Sequence, residues 1–118
     1  MAFVTNAGLI RVLDLLDADT DYIGLGTGTG VAVTDTLLTT ETLRKASTNL
    51  IDGYTLLIEA YLDTTEGNGV TYTETGAFGD SATSSVDTGA MVAGGVISQA
   101  KTALISYTIS YEITVSRA

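Results

Sequence analysis

Three groups of residues have types and spacings that could do chemistry. The first is the run Gly24-Leu25-Gly26-Thr27-Gly28-Thr29-Gly30, because closely spaced glycines let backbone N–H groups close around a phosphate. The dinucleotide fingerprint, however, needs a glycine where Thr29 stands, a helix directly afterwards and a βαβ setting. A phosphate loop also needs a Lys-Ser/Thr pair, and the first lysine is Lys45. The spacing therefore predicts a close-packed strand end and turn. In the second group, Asp17, Asp19 and Asp21 stand where a calcium loop places its first ligands, but its obligatory glycine is Tyr22 and its bidentate glutamate is Gly28. A solvated acidic turn is the better reading, a weak cation site at these three carboxylates is the alternative, and no resident metal or cofactor is expected. The third group is Glu59, Asp63, Glu66 and Glu74, a set of carboxylates near one another along an expected hairpin that could support glycoside hydrolysis. Alternation puts Glu59 and Asp63 on an outer sheet face, where charge is ordinary, and only Tyr61 offers an aromatic surface nearby. Arg44 and Lys45 form the one basic pair, whose default role is a salt bridge to a neighbouring carboxylate.

The composition narrows the chemistry further. The chain has no His and no Cys, which excludes Ser-His, Cys-His and His-metal arrangements, disulfides and thiolate metal sites. It also has no Trp and no Pro, so the favoured platform for stacking a sugar or cation is missing. Five Lys plus Arg against fourteen Asp plus Glu give a net charge of −9. Such a chain repels nucleic acid and anionic membrane surfaces. Yet only 16% of residues are charged and the mean hydropathy is +0.32, whereas soluble domains carry about 25% charged residues. That shortage implies surface hidden in an assembly. No apolar stretch is long enough for a membrane-spanning helix, and the first residues do not read as a secretory signal.

The elements that must position these residues follow from periodicity. The 118 residues fit one domain spanning 1–118. Leu9, Val12, Leu13 and Leu16 recur at helical spacing behind Thr5 or Asn6, predicting a helix over about 5–17 that stops near Asp17, where the macrodipole disfavours aspartates. The remainder, 22–117, reads as β-rich. Tyr22–Gly26 is a short strand, and 31–42 is a loop or one helical turn. In the next strand Tyr54, Leu56, Ile58, Ala60 and Leu62 take one face, with Thr55, Glu59 and Asp63 on the other. Gly67-Asn68-Gly69 turns the chain, and 70–74 returns at hairpin distance. The Gly-, Ser- and Ala-rich stretch 80–100 is expected to be a loop with a short strand at about 89–93. In the final strand Ile105, Tyr107, Ile109, Tyr111, Ile113 and Val115 alternate with polar residues. Its opposite face is uncharged over Ser106, Thr108 and Ser110, unusual for a wet surface in so acidic a chain, so this face is expected to be shielded by another subunit in a homo-oligomer. The fold class is mainly β: a small antiparallel β-sandwich or barrel-like domain with an N-terminal helix.

The order of short motifs resembles small bacteriophage virion structural proteins. These motifs are Thr5-Asn6-Ala7-Gly8, then Tyr22 to Thr29, then Asp35-Thr36-Leu37-Leu38 with Glu41 and Arg44, then Glu74-Thr75-Gly76-Ala77-Phe78, and the last strand over 103–115. The chain is similar to capsid decoration (cement) proteins, which reinforce the outer shell at capsomer junctions, and related segments occur in tail-fibre and tail-tip proteins. The resemblance implies a non-enzymatic protein with no cofactor, on the outer surface of the capsid or, alternatively, in the tail. It implies the major capsid protein and copies of the chain itself as partners, and neither nucleic acid nor membrane.

Overall fold

The computed structural model describes residues 2–117. One helix, α1 (Asn6–Asp19), precedes seven strands: β1 (Tyr22–Gly26), β2 (Glu41–Ala46), β3 (Thr48–Asp52), β4 (Thr55–Leu62), β5 (Val70–Gly79), β6 (Ala90–Lys101) and β7 (Tyr107–Thr114). They form two antiparallel sheets, one ordered β2-β1-β5-β6 and the other β3-β4-β7, packed as a sandwich in agreement with the expected fold class. The domain is elongated, 55 × 27 × 24 Å.

The Thr5 hydroxyl accepts from Gly8 N–H at 3.1 Å and caps α1. Leu9 and Leu13 are buried, whereas Val12 on the same expected stripe is exposed. The helix runs two residues beyond the expected end at Asp17 because its last turn finds partners. The Asp17 carbonyl accepts from the Asn49 side chain at 3.3 Å, and both carboxylate oxygens of Asp19 accept from Asp80 N–H at 3.1 Å.

The core lies between the sheets. Ile23, Leu25, Tyr72 and Ala77 from the four-stranded sheet meet Leu56, Ile58, Ala60, Leu62 and Ile109 from the other, and Leu13 packs with them. The expected inward faces of β4 and β7 are the observed ones, except that Tyr54, expected at the head of the β4 face, lies in the turn before the strand and is exposed. Gly53, at φ 61°, opens the two-residue turn joining β3 to β4.

Three expectations are corrected. The segment after β4 does not fold back as a hairpin: β5 lies in the opposite sheet, between β1 and β6, because both edges of β4 are occupied by β3 and β7. The expected short strand near 89–93 is instead the twelve-residue β6. Its Ala and Gly content is poor for a strand, and pairing with β5 overrides that local preference. Finally, the loop expected over 31–42 ends at Thr40, and the unforeseen β2 and β3 follow with only Ser47 between them.

Ile109 is buried on the core face of β7. Ile109→Asp places an unpaired charge there, at a cost of about 3–5 kcal/mol, and is expected to abolish cooperative unfolding measured by circular dichroism. Thr108→Asp, on the exposed face, is expected to fold. Burial pushes the hydroxyls of Tyr72, Tyr107 and Tyr111 above the usual tyrosine value. Stability from groups with raised folded values is complete below the unfolded value of 10.0 and is lost as pH rises through the folded ones. The Tm is therefore expected to fall above that pH. The Tyr111 hydroxyl is buried with no hydrogen-bond partner among the described residues. Tyr111→Phe is thus expected to leave Tm at neutral pH unchanged or higher, and to flatten the alkaline fall.

Candidate functional site

The outer face of the four-stranded sheet carries Gly24, Gly26, Arg44 and Glu74 from among the residues singled out from the sequence. Along β1 the side chains of Ile23 and Leu25 enter the core, so Gly24 and Gly26 present bare backbone on the other face. That bareness is required. A Cβ on Gly26 would lie 2.5 Å from Glu74 Oε2, one on Gly24 2.9 Å from the Phe78 ring, and one on Gly76 2.6 Å from Met91 Sδ. The glycines are floor space for large side chains lying across the sheet.

Glu74 is one of these side chains, and it is fully buried. Its Oε2 accepts from Gly28 N–H at 2.7 Å and Thr40 N–H at 2.8 Å, and its Oε1 accepts from Thr39 N–H at 2.8 Å. One amide of the glycine run therefore does meet an anion, but it shares the task with Thr39 and Thr40, and the anion is the chain's own carboxylate. Thr27 N–H donates to the Thr40 carbonyl at 3.0 Å, and the Thr73 hydroxyl donates to the Gly28 carbonyl at 2.6 Å. Together these bonds close the neck of the long loop between β1 and β2.

Glu41 and Arg44 form the second group on this face. Residues three apart on a regular strand point to opposite faces, but the register slips between Leu25↔Leu43 and Gly26↔Glu41. The resulting bulge at Thr42 turns Glu41 and Arg44 to the same side. Arg44 donates from Nε to Glu41 Oε2 at 2.7 Å and from Nη2 to Oε1 at 2.8 Å, with both side chains fully buried. Its Nη1 reaches the carbonyls of Thr83 and Thr88 at 3.1 and 2.8 Å, and the guanidinium lies 4.1 Å from the Phe78 ring centroid. Glu41 Oε1 also accepts from Asp87 N–H at 3.0 Å. This pair organises the loop before β6, in which Asp80, Ser81 and Asp87 have φ of 54°, 62° and 62°. Such non-glycine conformations persist only where surrounding bonds determine them.

The other sequence candidates are dispersed. Asp17 and Asp19 are on α1, and Asp21 follows it in the link to β1; there Asp21 N–H donates to the Phe78 carbonyl at 3.2 Å and its carbonyl accepts from Ser47 N–H at 2.8 Å. Among the described residues no three carboxylates converge in a way that could hold a metal ion. The carboxylates expected along one hairpin are divided between the sheets, since Glu59 is on β4 and Glu74 on β5. Asp63 and Glu66 meet in the intervening turn, where bonds from the Thr65 hydroxyl and amide hold Asp63 below the usual carboxylate range. The bond from the Lys45 ammonium does the same for Glu66. Both basic residues of the Arg44-Lys45 pair thus have the expected carboxylate partners. Ser106, Thr108 and Ser110 are exposed, but Glu59 on the neighbouring strand accepts from the Ser110 hydroxyl at 3.0 Å and brings a charge to that face.

Sequence reasoning missed Lys101, whose side chain is buried at the end of β6 and donates to Asn68 Oδ1 at 2.8 Å and the Thr102 carbonyl at 3.1 Å. It also missed Glu41 as the partner of Arg44, because the sequence expectation of a salt bridge at Arg44 named no particular carboxylate. Chemically, the layer is closed: Glu41 and Glu74 face amides and a guanidinium rather than an open cleft. No family model matches the chain, and no curated protein matches it.

Glu74→Gln removes one acceptor oxygen and turns an NH2 group toward backbone donors. It is expected to cost about 2–3 kcal/mol, measured by urea unfolding, and to raise amide exchange at Gly28, Thr39 and Thr40.

Proposed function

We propose that this chain is a non-enzymatic bacteriophage virion structural protein that decorates the outer capsid shell and stabilises it. The observation that carries this reading is the distribution of polar and apolar groups. The carboxylates best placed for chemistry, Glu41 and Glu74, are buried in bonds that hold loops. Large apolar side chains, among them Phe3, Leu15, Tyr61, Val96 and Leu104, are exposed instead. A docked protein would cover such side chains, and the charge of −9 suits a site away from packaged nucleic acid.

The motif resemblance supports the same reading. Gly24, Gly26, Glu41, Arg44, Glu74, Gly76 and Phe78, which carry it, meet in one buried layer, so the motifs act as a structural unit. The major capsid protein is the proposed partner. The outer face of β7, with Ser106, Thr108, Ser110 and the adjacent Tyr61, is a proposed contact surface. Stabilisation then follows from mass action, because a protein that binds only the assembled shell shifts the equilibrium toward it.

Particles lacking the protein are expected to assemble but to rupture at a lower temperature, and adding the purified protein is expected to restore the difference. Quantitative mass spectrometry of purified particles should find a copy number matching the shell lattice. Equal rupture temperatures together with the few copies typical of a tail would replace the capsid reading with a tail-fibre or tail-tip role.

A further inference from the structure

Among the described residues Lys101 is the one buried cation that makes no ion pair. It is only 1% exposed, and its ammonium donates to two neutral oxygens, Asn68 Oδ1 at 2.8 Å and the Thr102 carbonyl at 3.1 Å. A buried charge is costly unless a charged partner faces it. The carboxylates of the neighbouring turn are engaged elsewhere: Asp63 accepts from the Thr65 hydroxyl and amide, and Glu66 from the Lys45 ammonium. The group that stands where a carboxylate would be expected is the carboxamide of Asn68.

Asn68 precedes Gly69, and glycine is the residue whose nitrogen is least shielded from the preceding side chain, because it has no Cβ. Gly69 has φ of 81°, a Cβ there would meet nothing within 4 Å, and both residues are exposed to water. We propose that Asn68 is a self-modification site: it deamidates to aspartate, and Lys101 first polarises its carbonyl and then pairs with the product. In the first step the Gly69 nitrogen gives its proton to solvent and bonds to Asn68 Cγ. The Cγ–Nδ2 bond breaks, and Nδ2 leaves as ammonia. In the second step water adds to Cγ of the cyclic imide and the bond from Cγ to the Gly69 nitrogen breaks. A carboxylate is left at position 68 on an ordinary backbone.

Lys101 acts at each stage. Its ammonium, already on Oδ1, stabilises the negative charge that develops on that oxygen in both additions. The imide has two carbonyls, and water opening it at the backbone carbonyl would give isoaspartate. Because the ammonium polarises the carbonyl that carries Oδ1, the folded chain favours opening at Cγ and hence aspartate. The product sets an anion against the buried ammonium in place of a neutral acceptor. Two bonds hold the starting state and must yield: Asn68 Nδ2 to the Thr64 carbonyl and Gly69 N–H to the Lys101 carbonyl, each at 2.8 Å. The reaction is therefore slower than in an unfolded chain, and the identity of the product carries the mark of the fold.

Deamidation at Asn68 does not depend on the capsid reading, so the two fail separately. The test is to incubate the purified full chain at mildly alkaline pH, folded and in urea, and to follow residue 68 by peptide mass spectrometry with the two isomers separated. Aspartate is expected to exceed isoaspartate in the folded chain, and isoaspartate to dominate in urea. Asn68→Asp is expected to raise Tm, and the gain to vanish in the Lys101→Met background. If Lys101→Met does not fold, the isomer ratio of the unmodified chain still decides. A residue 68 that stays asparagine in the folded chain while it converts in urea overturns the proposal, as does an isoaspartate-rich product in both, or a Tm lowered by Asn68→Asp. So does a cross-linked peptide in which Lys101 Nζ itself has displaced ammonia from Asn68 Cγ.

Discussion

A carboxylate inside a protein is tolerable only if its oxygens are met by donors, and Glu74 meets that condition entirely with backbone N–H groups. Much of the four-stranded sheet follows from this requirement. The donors belong to Gly28, Thr39 and Thr40, so the two ends of a long loop must come together above β5. The carboxylate that reaches them occupies the space a Cβ would need at Gly26 and Gly28, while Glu41 and Phe78 occupy it at Gly24. The glycines and the glutamate are therefore parts of one device, although Gly26 and Glu74 are far apart in sequence and meet only as register partners of β1 and β5.

Glu41 and Arg44 repeat the same logic with a different balance of forces. Arg44 offers a bidentate fork to Glu41 and uses its remaining nitrogen for the carbonyls of the loop before β6, while its face rests on Phe78. A buried ion pair gives little net stability by itself, because desolvation offsets the attraction. Its value here is geometric. Asp80, Ser81 and Asp87 hold left-handed conformations that cost about 1–3 kcal/mol each, and the Arg44–Glu41 pair supplies the bonds to Thr83, Thr88 and Asp87 that keep this loop in place. The loop in turn delivers the chain to the start of β6.

What was legible in the sequence was whatever depended on one chain segment alone. The Thr5 cap, the inward face of β4 and the alternation of β7 each rest on local periodicity, and each is where the residues placed it. The misread parts depend on partners remote in sequence. No local pattern marks β6 as a strand, since Ala90 to Ala100 reads as a flexible stretch until β5 pairs with it. The bulge at Thr42 hides the shared face of Glu41 and Arg44, because a three-residue spacing on an unbulged strand separates them. The assumed hairpin after β4 failed because a sequence does not reveal that both neighbours of β4 are already taken. Carboxylates grouped by that hairpin, Glu59 with Glu74, are consequently expected near one another when they belong to opposite sheets.

The same arrangement accounts for a chain that is both acidic and sparingly charged. Glu41, Arg44, Glu74 and Lys101 are withdrawn from the surface, and the acidic groups left outside lie away from the stretch between Thr88 and Tyr111. Self-repulsion from a charge of −9 keeps copies apart over most orientations. It is weakest beside the stretch between Thr88 and Tyr111, where Lys101 is the one charged residue and its ammonium is itself buried against Asn68 and the Thr102 carbonyl.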